Sequence, residues 1–152
     1  MITFQREPVL DVQHQITPLF KKHWQEIANY QDQIPLDPNW DMYDRLEQSE
    51  VLHAFMARDN GLLIGYFWLL AVPHLHYRNH VFAHADLLFL DKPYRKGFTA
   101  LKFIKFAQAE LKKSGIKVMS MNTKTNAPFD ALLKRAGFKL VERVYAKHLG
   151  IE

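Results

Sequence analysis

The chain contains no cysteine, which removes several classes of site at once. Without a thiol there can be no disulfide framework, no thiolate metal site and no cysteine nucleophile. Its apolar runs are short, and the longest, Leu62 to Val72, is well below the roughly 20 residues of a bilayer-crossing helix. The opening residues, MITFQREPVL, lack the cationic and then apolar order of a secretory signal. These absences predict a cytoplasmic protein that does not span a membrane.

Composition and charge predict one folded domain over residues 1–152. Of the 152 residues, 48% are hydrophobic and 24% are charged, a balance typical of globular proteins. Twenty lysines and arginines against 16 acidic residues give a net charge of +4, and lysines concentrate in the second half. If this charge serves an anionic ligand, the site lies after residue 90. The alternative is a basic surface without a ligand.

Periodicity and turn residues predict alternating strands and helices. Apolar residues three and four apart from Ile16 to Ile27 predict one long helix, with Pro18 as a defect near its start. Asn60-Gly61 predicts a hairpin turn, because both residues tolerate positive φ angles. The predicted elements are a strand at 2–7, helices at 11–30 and 39–49, strands at 51–58, 62–72 and 81–90, a helix from 100 to 113, a strand at 116–121, a helix ending at 136, and short strands at 138–141 and 143–149.

The segment DKPYRKGFTALKF, residues 91–103, joins a nearly uncharged strand to an amphipathic helix through a cationic turn. The first turn of a helix leaves backbone N–H groups unpaired and carries partial positive charge, which suits a phosphate. Gly97 permits close approach of the backbone, and Arg95 and Lys96 add full charges. The alternative is a wet surface turn, because many such turns carry a glycine and a lysine.

Three spaced motifs follow the predicted elements: ARDNGLLIGY at 57–66, LFLDKPYRKGFTA at 88–100, and Asn126 eleven residues before Gly137-Phe138. Together they resemble the GCN5-related N-acetyltransferases, the GNAT family. The first is similar to the family's second and third strands, and the second to its fourth strand and acetyl-CoA loop, [QR]-x-x-G-x-[GA]. More narrowly, segments such as HLHY, AHADLLFL and LLKRAGF resemble the small GNAT proteins of bacteriophages.

The resemblance implies an α/β GNAT fold. Its single mixed, largely antiparallel sheet would have about six to seven strands, helices on both faces and a splay between the fourth and fifth strands. It also implies acetyl-CoA as co-substrate, with pantetheine beside residues 88–90 and pyrophosphate on the N–H groups of 96–100. The cofactor-binding residues carried over are Leu88, Phe89, Leu90, Arg95, Lys96, Gly97, Phe98, Thr99, Ala100 and Asn126.

Two positions depart from the family's pattern. Phe98 stands where the family usually has glycine, so Gly97 is expected to supply the flexibility. Leu133 stands where many members carry a tyrosine that protonates the departing thiolate, and Tyr145 is the substitute that we consider. These departures keep open a catalytically degenerate GNAT-fold protein that binds CoA or a host protein.

Asp86 is the one carboxylate in the apolar stretch 85–90 and is the predicted catalytic base. A partly buried carboxylate has a raised pKa, which suits proton transfer near neutral pH. His84 falls on the same strand face and is a candidate base or a partner of Asp86. The alternative is that Asp86 points to water or pairs with a nearby cation.

The histidine-rich segment HLHYRNHVFAH, residues 74–84, raises a metal-site hypothesis, because His-x-His on a strand puts two imidazoles on one side. We predict no metal and expect His76 and Tyr77 to line the substrate pocket. In the GNAT fold the early helices wall the acceptor site, so Glu26 and Tyr43 are candidates for selecting a cationic amine. A purely structural role for these helices is the alternative.

The sequence therefore predicts direct transfer of an acetyl group from acetyl-CoA to a primary amine. The acceptor is a small molecule or a protein lysine or N-terminus, and its identity is left open. We expect neither a membrane nor a nucleic-acid partner, and a homodimer stays open. A phage-encoded protein would act in the host cytoplasm.

Overall fold

The computed structural model describes residues 1–150 and places a five-stranded sheet between two layers of helices. Its elements are β1 (Ile2–Arg6), α1 (Val9–Ile27), α2 (Trp40–Gln48), β2 (Leu52–Asp59), β3 (Leu62–His74), β4 (Tyr77–Leu90), α3 (Thr99–Lys113), β5 (Val118–Ser120) and α4 (Asp130–Arg135). The strands lie in the order β1-β2-β3-β4-β5. The first four pair antiparallel and β5 runs parallel to β4, which confirms the mixed, largely antiparallel α/β sheet.

The sheet has an apolar cluster on each face, because helices cover both sides of it. On one face the stripe of α1 packs on β2 and β3, with Ile16 and Trp68 fully buried. On the other face Phe103 and Ile104 of α3 pack against Phe67. Strands covered on both faces are buried at consecutive positions rather than alternating ones, as the segment 52–57 shows.

A tight turn and a close approach of two strands define the β2–β3–β4 part of the sheet. Asn60 and Gly61 have φ angles of 47° and 88°, the left-handed pair that a tight hairpin requires, so the predicted turn is confirmed. At Gly65 a Cβ atom would lie 2.5 Å from the carbonyl oxygen of Phe89. Only glycine lets β3 and β4 approach this closely at the end of β4.

The β3–β4 connection is shorter than the sequence predicts. The predicted polar connection at 74–80 is a two-residue turn, Leu75-His76, and β4 begins at Tyr77 rather than Val81. Pro73 does not end β3, because the pairing register shifts between Pro73 and His74 and accommodates it there. The hairpin is therefore longer, and its tip lies farther from the end of β4.

The two predicted C-terminal strands are wrong. Residues 138–148 form no strand, so the described sheet has five strands rather than six or seven. Apolar side chains are present in the segment, yet Val141 is 82% exposed and Tyr145 is 88% exposed. Alternating hydrophobicity produces a strand only where a neighbouring strand supplies hydrogen-bond partners, and this segment pairs with none in residues 1–150.

Candidate active site

The sheet opens between β4 and β5. The two strands pair over only three positions, Phe82–Val118, Ala83–Met119 and His84–Ser120. After His84 the edge of β4 has no partner strand within residues 1–150, which confirms the predicted splay between the fourth and fifth strands. A cavity of about 350 Å³ lies in the opening, walled by residues 84–90 of β4 and by Met121 and Asn122 after β5.

Asp86 occupies a β-bulge at the start of this opening. Trp68 of β3 pairs with Leu87 and Leu69 pairs with Ala85, so Asp86 is the extra residue of β4. A bulge re-aims a side chain and is common beside active sites. Asp86 lines the cavity and is accessible from it, and the desolvation imposed by the surrounding walls raises its pKa, with the His84 imidazole opposing the shift.

His84 is held by β5 rather than by Asp86. Its Nδ1 lies 2.7 Å from the Ser120 hydroxyl oxygen, and its Nε2 lies 3.4 Å from the Asn122 side-chain amide nitrogen. Both strands thus fix the imidazole at the point where they separate. The structure brings His84 and Asp86 to one cavity, and their catalytic roles stay predictions.

The turn after β4 leaves the first turn of α3 without a side-chain cap. Phe98 occupies the N-cap position, and no side-chain hydrogen bond caps the helix there. Gly97 has a φ of +75°, and nothing lies within 4 Å of the position that a Cβ would take. The α3 N–H groups that follow are therefore available to an anion, with the exposed Lys96 beside them.

Arg95 lines the cavity, but its guanidinium has protein partners. Its Nε donates to the Leu90 carbonyl oxygen at 2.6 Å, and an η-nitrogen lies 2.9 Å from the Glu26 carboxylate. The guanidinium also lies over the Phe89 ring, 5.3 Å from its centre. Arg95 therefore ties the turn to α1. Glu26, predicted to select a cationic amine, is neutralised by this pair and faces the β4 cavity.

A second cavity of about 750 Å³ lies between α1, the α1–α2 loop and α2. The two cavities share five lining residues, His23, Ile27, Asp86, Leu87 and Lys124. Tyr43 of α2 lines the second one, and burial together with the charge of Asp86 raises its pKa to about 12. Asp86 is thus the carboxylate that both cavities reach.

A buried histidine–tyrosine pair where the cavities meet escaped the sequence analysis. His23 Nδ1 lies 2.8 Å from the Tyr66 hydroxyl oxygen, and both residues are buried. Burial lowers the pKa of His23 to about 4, so the imidazole is neutral near pH 7, and burial raises the pKa of Tyr66. The signal was present, since His23 lies three residues after Phe20 on the apolar stripe of α1 and is its only polar member at that spacing.

The other predicted site residues lie elsewhere. His76 and Tyr77 are at the tip of the β3–β4 hairpin, nine or more residues from Asp86, and line neither cavity, so the predicted pocket lining is not seen. Asn126 is exposed beside the cavity-lining Lys124 and Ala127. The side chain of Tyr145 lines neither cavity, although its neighbour Ala146 lines the second.

Residues 1–150 contain neither a cluster of metal ligands nor a helix suited to crossing a membrane. No three histidine, aspartate or glutamate side chains come together as metal ligands there. His74 instead accepts a hydrogen bond from the His76 backbone N–H, and its ring contacts Tyr77 and Phe82. None of the helices in this range combines the length and the apolar character that crossing a bilayer requires.

No protein-family profile and no curated protein sequence matches the chain. Solved structures do match it over nearly its full length. A predicted acetyltransferase from Clostridium acetobutylicum, crystallised with acetyl-CoA, is 12% identical with a TM-score of 0.72, over 98% of this chain and 97% of that one. A GCN5-related N-acetyltransferase from Ralstonia eutropha JMP134 is 12% identical with a TM-score of 0.75, over 97% and 99%.

An aminoglycoside acetyltransferase from an uncultured soil metagenomic sample, in complex with sisomicin, is 13% identical with a TM-score of 0.76, over 99% of this chain and 97% of that one. At such low identities the likeness establishes the fold. The chain has the fold of the GCN5-related N-acetyltransferases.

Proposed function

We propose that the chain is an acetyl-CoA-dependent N-acetyltransferase that transfers the acetyl group directly to a primary amine. One observation carries the proposal: the opened sheet and a carboxylate of raised pKa share one cavity, and Arg95, three residues before the uncapped N-cap of α3, lines the same cavity. The similar structures support it, since one is an acetyltransferase crystallised with acetyl-CoA and another an acetyltransferase in complex with an amine-bearing antibiotic.

The donor side of the cleft suits acetyl-CoA. The unpaired edge of β4 at 88–90 offers backbone groups to the amides of a pantetheine arm, as an added strand would use them. Gly97 and the first turn of α3 offer N–H groups to the pyrophosphate, with Lys96 adding positive charge. When bound there, the thioester supplies an activated acyl carbon, and N–H groups of β4 can stabilise the charge that develops on its oxygen.

Asp86 is the residue that we assign to proton transfer. An amine arrives protonated near pH 7 and must lose a proton before its lone pair can attack. Asp86 takes this proton, the amine nitrogen forms a bond to the acyl carbon, and the carbon–sulfur bond breaks. As that bond breaks, Asp86 gives its proton to the departing sulfur and takes the second proton from the nitrogen, and Tyr145 stays the predicted alternative acid. The products are an amide, CoA thiol and one proton that Asp86 releases to solvent.

The second candidate is a GNAT-fold protein that binds CoA or a host protein without catalysis. Phe98, 64% exposed, occupies the usual glycine position of the acetyl-CoA loop, and Leu133 has no hydroxyl to donate. This candidate predicts acetyl-CoA binding without turnover.

Because the chain has no cysteine, a thiol-release assay can test the proposed function without a background signal from the protein. A thiol reagent in the assay reports only CoA released from acetyl-CoA, because the protein contributes no background. Calorimetry first measures acetyl-CoA binding, and thiol release is then followed over a panel of amines. Binding with amine-dependent thiol release supports the enzyme. Binding without release for any amine supports the second candidate in its CoA-binding form. Absent binding rejects the enzyme and that CoA-binding form, and leaves only a host-protein-binding role.

We also propose that residues 1–152 act as one domain in the cytoplasm, of a host if the chain is phage-encoded. The acceptors considered are small-molecule amines and protein lysines or N-termini. Sedimentation of the purified chain tests the homodimer that the sequence left open.

A further inference from the structure

The second cavity, between α1 and α2, has an aromatic and apolar wall with little charge. Its aromatic lining residues are Phe20, Trp24, Tyr30, Tyr43 and Tyr66. Its charged lining residues are Asp37, Asp86 and Lys124. Two carboxylates and one ammonium leave a net charge of −1, which matches a ligand with one positive charge better than a multiply charged one. A cavity of about 750 Å³ is within the size range of small-molecule sites.

The loop that forms this wall has defined internal contacts. The Gln31 side-chain Nε2 lies 3.1–3.3 Å from three carbonyl oxygens at the end of α1, which its two N–H groups share as acceptors. The Tyr30 carbonyl accepts hydrogen bonds from the N–H groups of Gln33 and Ile34. Tyr30 itself is held at a φ of +60°, a conformation that a bulky residue adopts only where its surroundings impose it. The wall is therefore preorganised before any ligand arrives.

Apolar side chains also surround the mouth of the cavity. Ile34, Leu36 and Met42 all line it and are 52%, 39% and 46% exposed. Apolar groups clustered at a cavity mouth remain in water until a ligand covers them, and covering their exposed surface favours binding. The cavity and its mouth thus favour the same apolar ligand.

We propose that the acceptor is a primary monoamine on an apolar body of at least one aromatic ring, with its nitrogen at Asp86 and its body against the wall formed by α1, the α1–α2 loop and α2. The inference rests on the proposed function, because that function supplies the amine chemistry. A polyamine or an aminoglycoside carries several positive charges, and only Asp37 is available besides Asp86. A phosphorylated amine would need cations, and Lys124 is the single lysine or arginine in this lining.

The wild-type protein tests the proposal with a matched pair of amines. 2-Phenylethylamine and ethylamine carry the same amine group and differ in the aromatic body. Thiol release from acetyl-CoA should give a kcat/KM for 2-phenylethylamine on the order of 100-fold above that for ethylamine, because the ring is buried. Spermidine, sisomicin and glucosamine 6-phosphate should be poorer still. A kcat/KM for any of these three equal to or above that for 2-phenylethylamine would overturn the proposal.

Charge placed at the cavity mouth is the second arm of the test. Leu36→Lys and Met42→Lys should each raise the KM for 2-phenylethylamine about tenfold with little change in kcat, because they remove apolar contact with the amine's body. Leu75→Lys is the matched control, since Leu75 is fully exposed at the far β3–β4 turn. Equal KM values for the mouth variants and the control would contradict the assignment.

Calorimetry separates failure of this inference from failure of the proposed function. Suppose that the protein binds 2-phenylethylamine, that Leu36→Lys weakens this binding, and that acetyl-CoA is not turned over. The proposed ligand class is then retained and the proposed enzymatic function is rejected. Turnover that favours spermidine or sisomicin retains the enzyme and rejects the ligand class. Absence of both 2-phenylethylamine binding and its acetylation rejects the ligand class as well.

Discussion

The proposed donor and acceptor sides of the cleft are built in different ways. The donor side comes from one continuous stretch, residues 84–101, and offers mainly backbone groups: an unpaired strand edge and an uncapped helix. The acceptor side comes from side chains of α1, the following loop and α2, with contributions from β3, β4 and the C-terminal segment. A site made of backbone groups can bind the same ligand in proteins of very different sequence. A site made of side chains changes its ligand when those side chains change. The comparison explains why sequence motifs indicate the proposed donor, whereas the acceptor has to be inferred from the structure.

Asp86 belongs to both sides, so its removal should have the largest effect. Asp86→Asn should lower kcat/KM by at least about 100-fold while acetyl-CoA affinity changes little, because the amide cannot accept the amine's proton. The carboxyl's pKa is raised in the folded protein, so its ionised form costs stability above that pKa. The variant should therefore melt slightly higher at pH 7, and the difference should close as the pH falls.

Thermal melting and thiol release on the same samples check both parts of this prediction. Asp130→Asn, an exposed aspartate that lines neither cavity, is the control. Full activity in Asp86→Asn would remove the residue from the mechanism.

The buried His23, which lies where the two cavities meet, should make the stability of the protein depend on pH. Its pKa is lowered to about 4 by burial, from an unfolded value near 6.5. Because the unfolded chain binds the proton first, the His23 contribution is complete above pH 6.5 and is lost as the pH falls toward 4, by roughly 3 kcal/mol. Denaturant unfolding between pH 4 and 7 should show this slope, and His23→Gln should flatten it. An unchanged slope would place the titration in another group, and His14→Gln on the exposed face of α1 is the control.

Substitution of Gly97 tests whether backbone N–H groups at the start of α3 bind acetyl-CoA. Gly97→Ala and Gly115→Ala both place a Cβ at a positive φ with nothing within 4 Å, so each should cost about 1 kcal/mol of stability. Only Gly97→Ala should weaken acetyl-CoA binding, by about tenfold, because only Gly97 adjoins the α3 N-terminus. Calorimetry measures both affinities. Equal affinities would show that the turn is structural.

The smallest effect on acetyl-CoA binding is expected from the cations of the turn, Arg95 and Lys96, and the two should differ in their effect on stability. Lys96→Ala should weaken acetyl-CoA binding a few-fold in low salt, with less effect in high salt and almost none on melting, because Lys96 is exposed. Arg95→Ala should also lower stability by about 1–2 kcal/mol, because it releases the Leu90 carbonyl and Glu26. If the two variants behave identically, Arg95 has no special structural role.

Much of the fold was predictable because its signals are local. Asn60-Gly61 marks a turn by its own backbone preference, and the stripe from Ile16 to Ile27 marks a helix by its period. The donor turn at 91–98 is likewise local. The final strands were wrong because pairing depends on a partner that the segment itself does not contain.

The candidate site was predictable only where it is contiguous. Asp86 stood out as a charge in an apolar strand, but its bulge depends on the register with Trp68 and Leu69 of β3. The pairing of Arg95 with Glu26, 69 residues apart, has no sequence signal. The predicted hairpin tip is misplaced, because a proline at position 73 predicts the end of a strand, whereas a register shift lets β3 continue.

The amide signals of Gly97, Thr99, Ala100 and Leu101 test the central claim most directly. In a ¹⁵N–¹H spectrum, addition of CoA should shift these four signals, and pantetheine, which lacks the diphosphate, should leave them nearly unmoved. That contrast would place a diphosphate on the backbone at the start of α3. CoA binding that leaves all four signals in place would contradict the account.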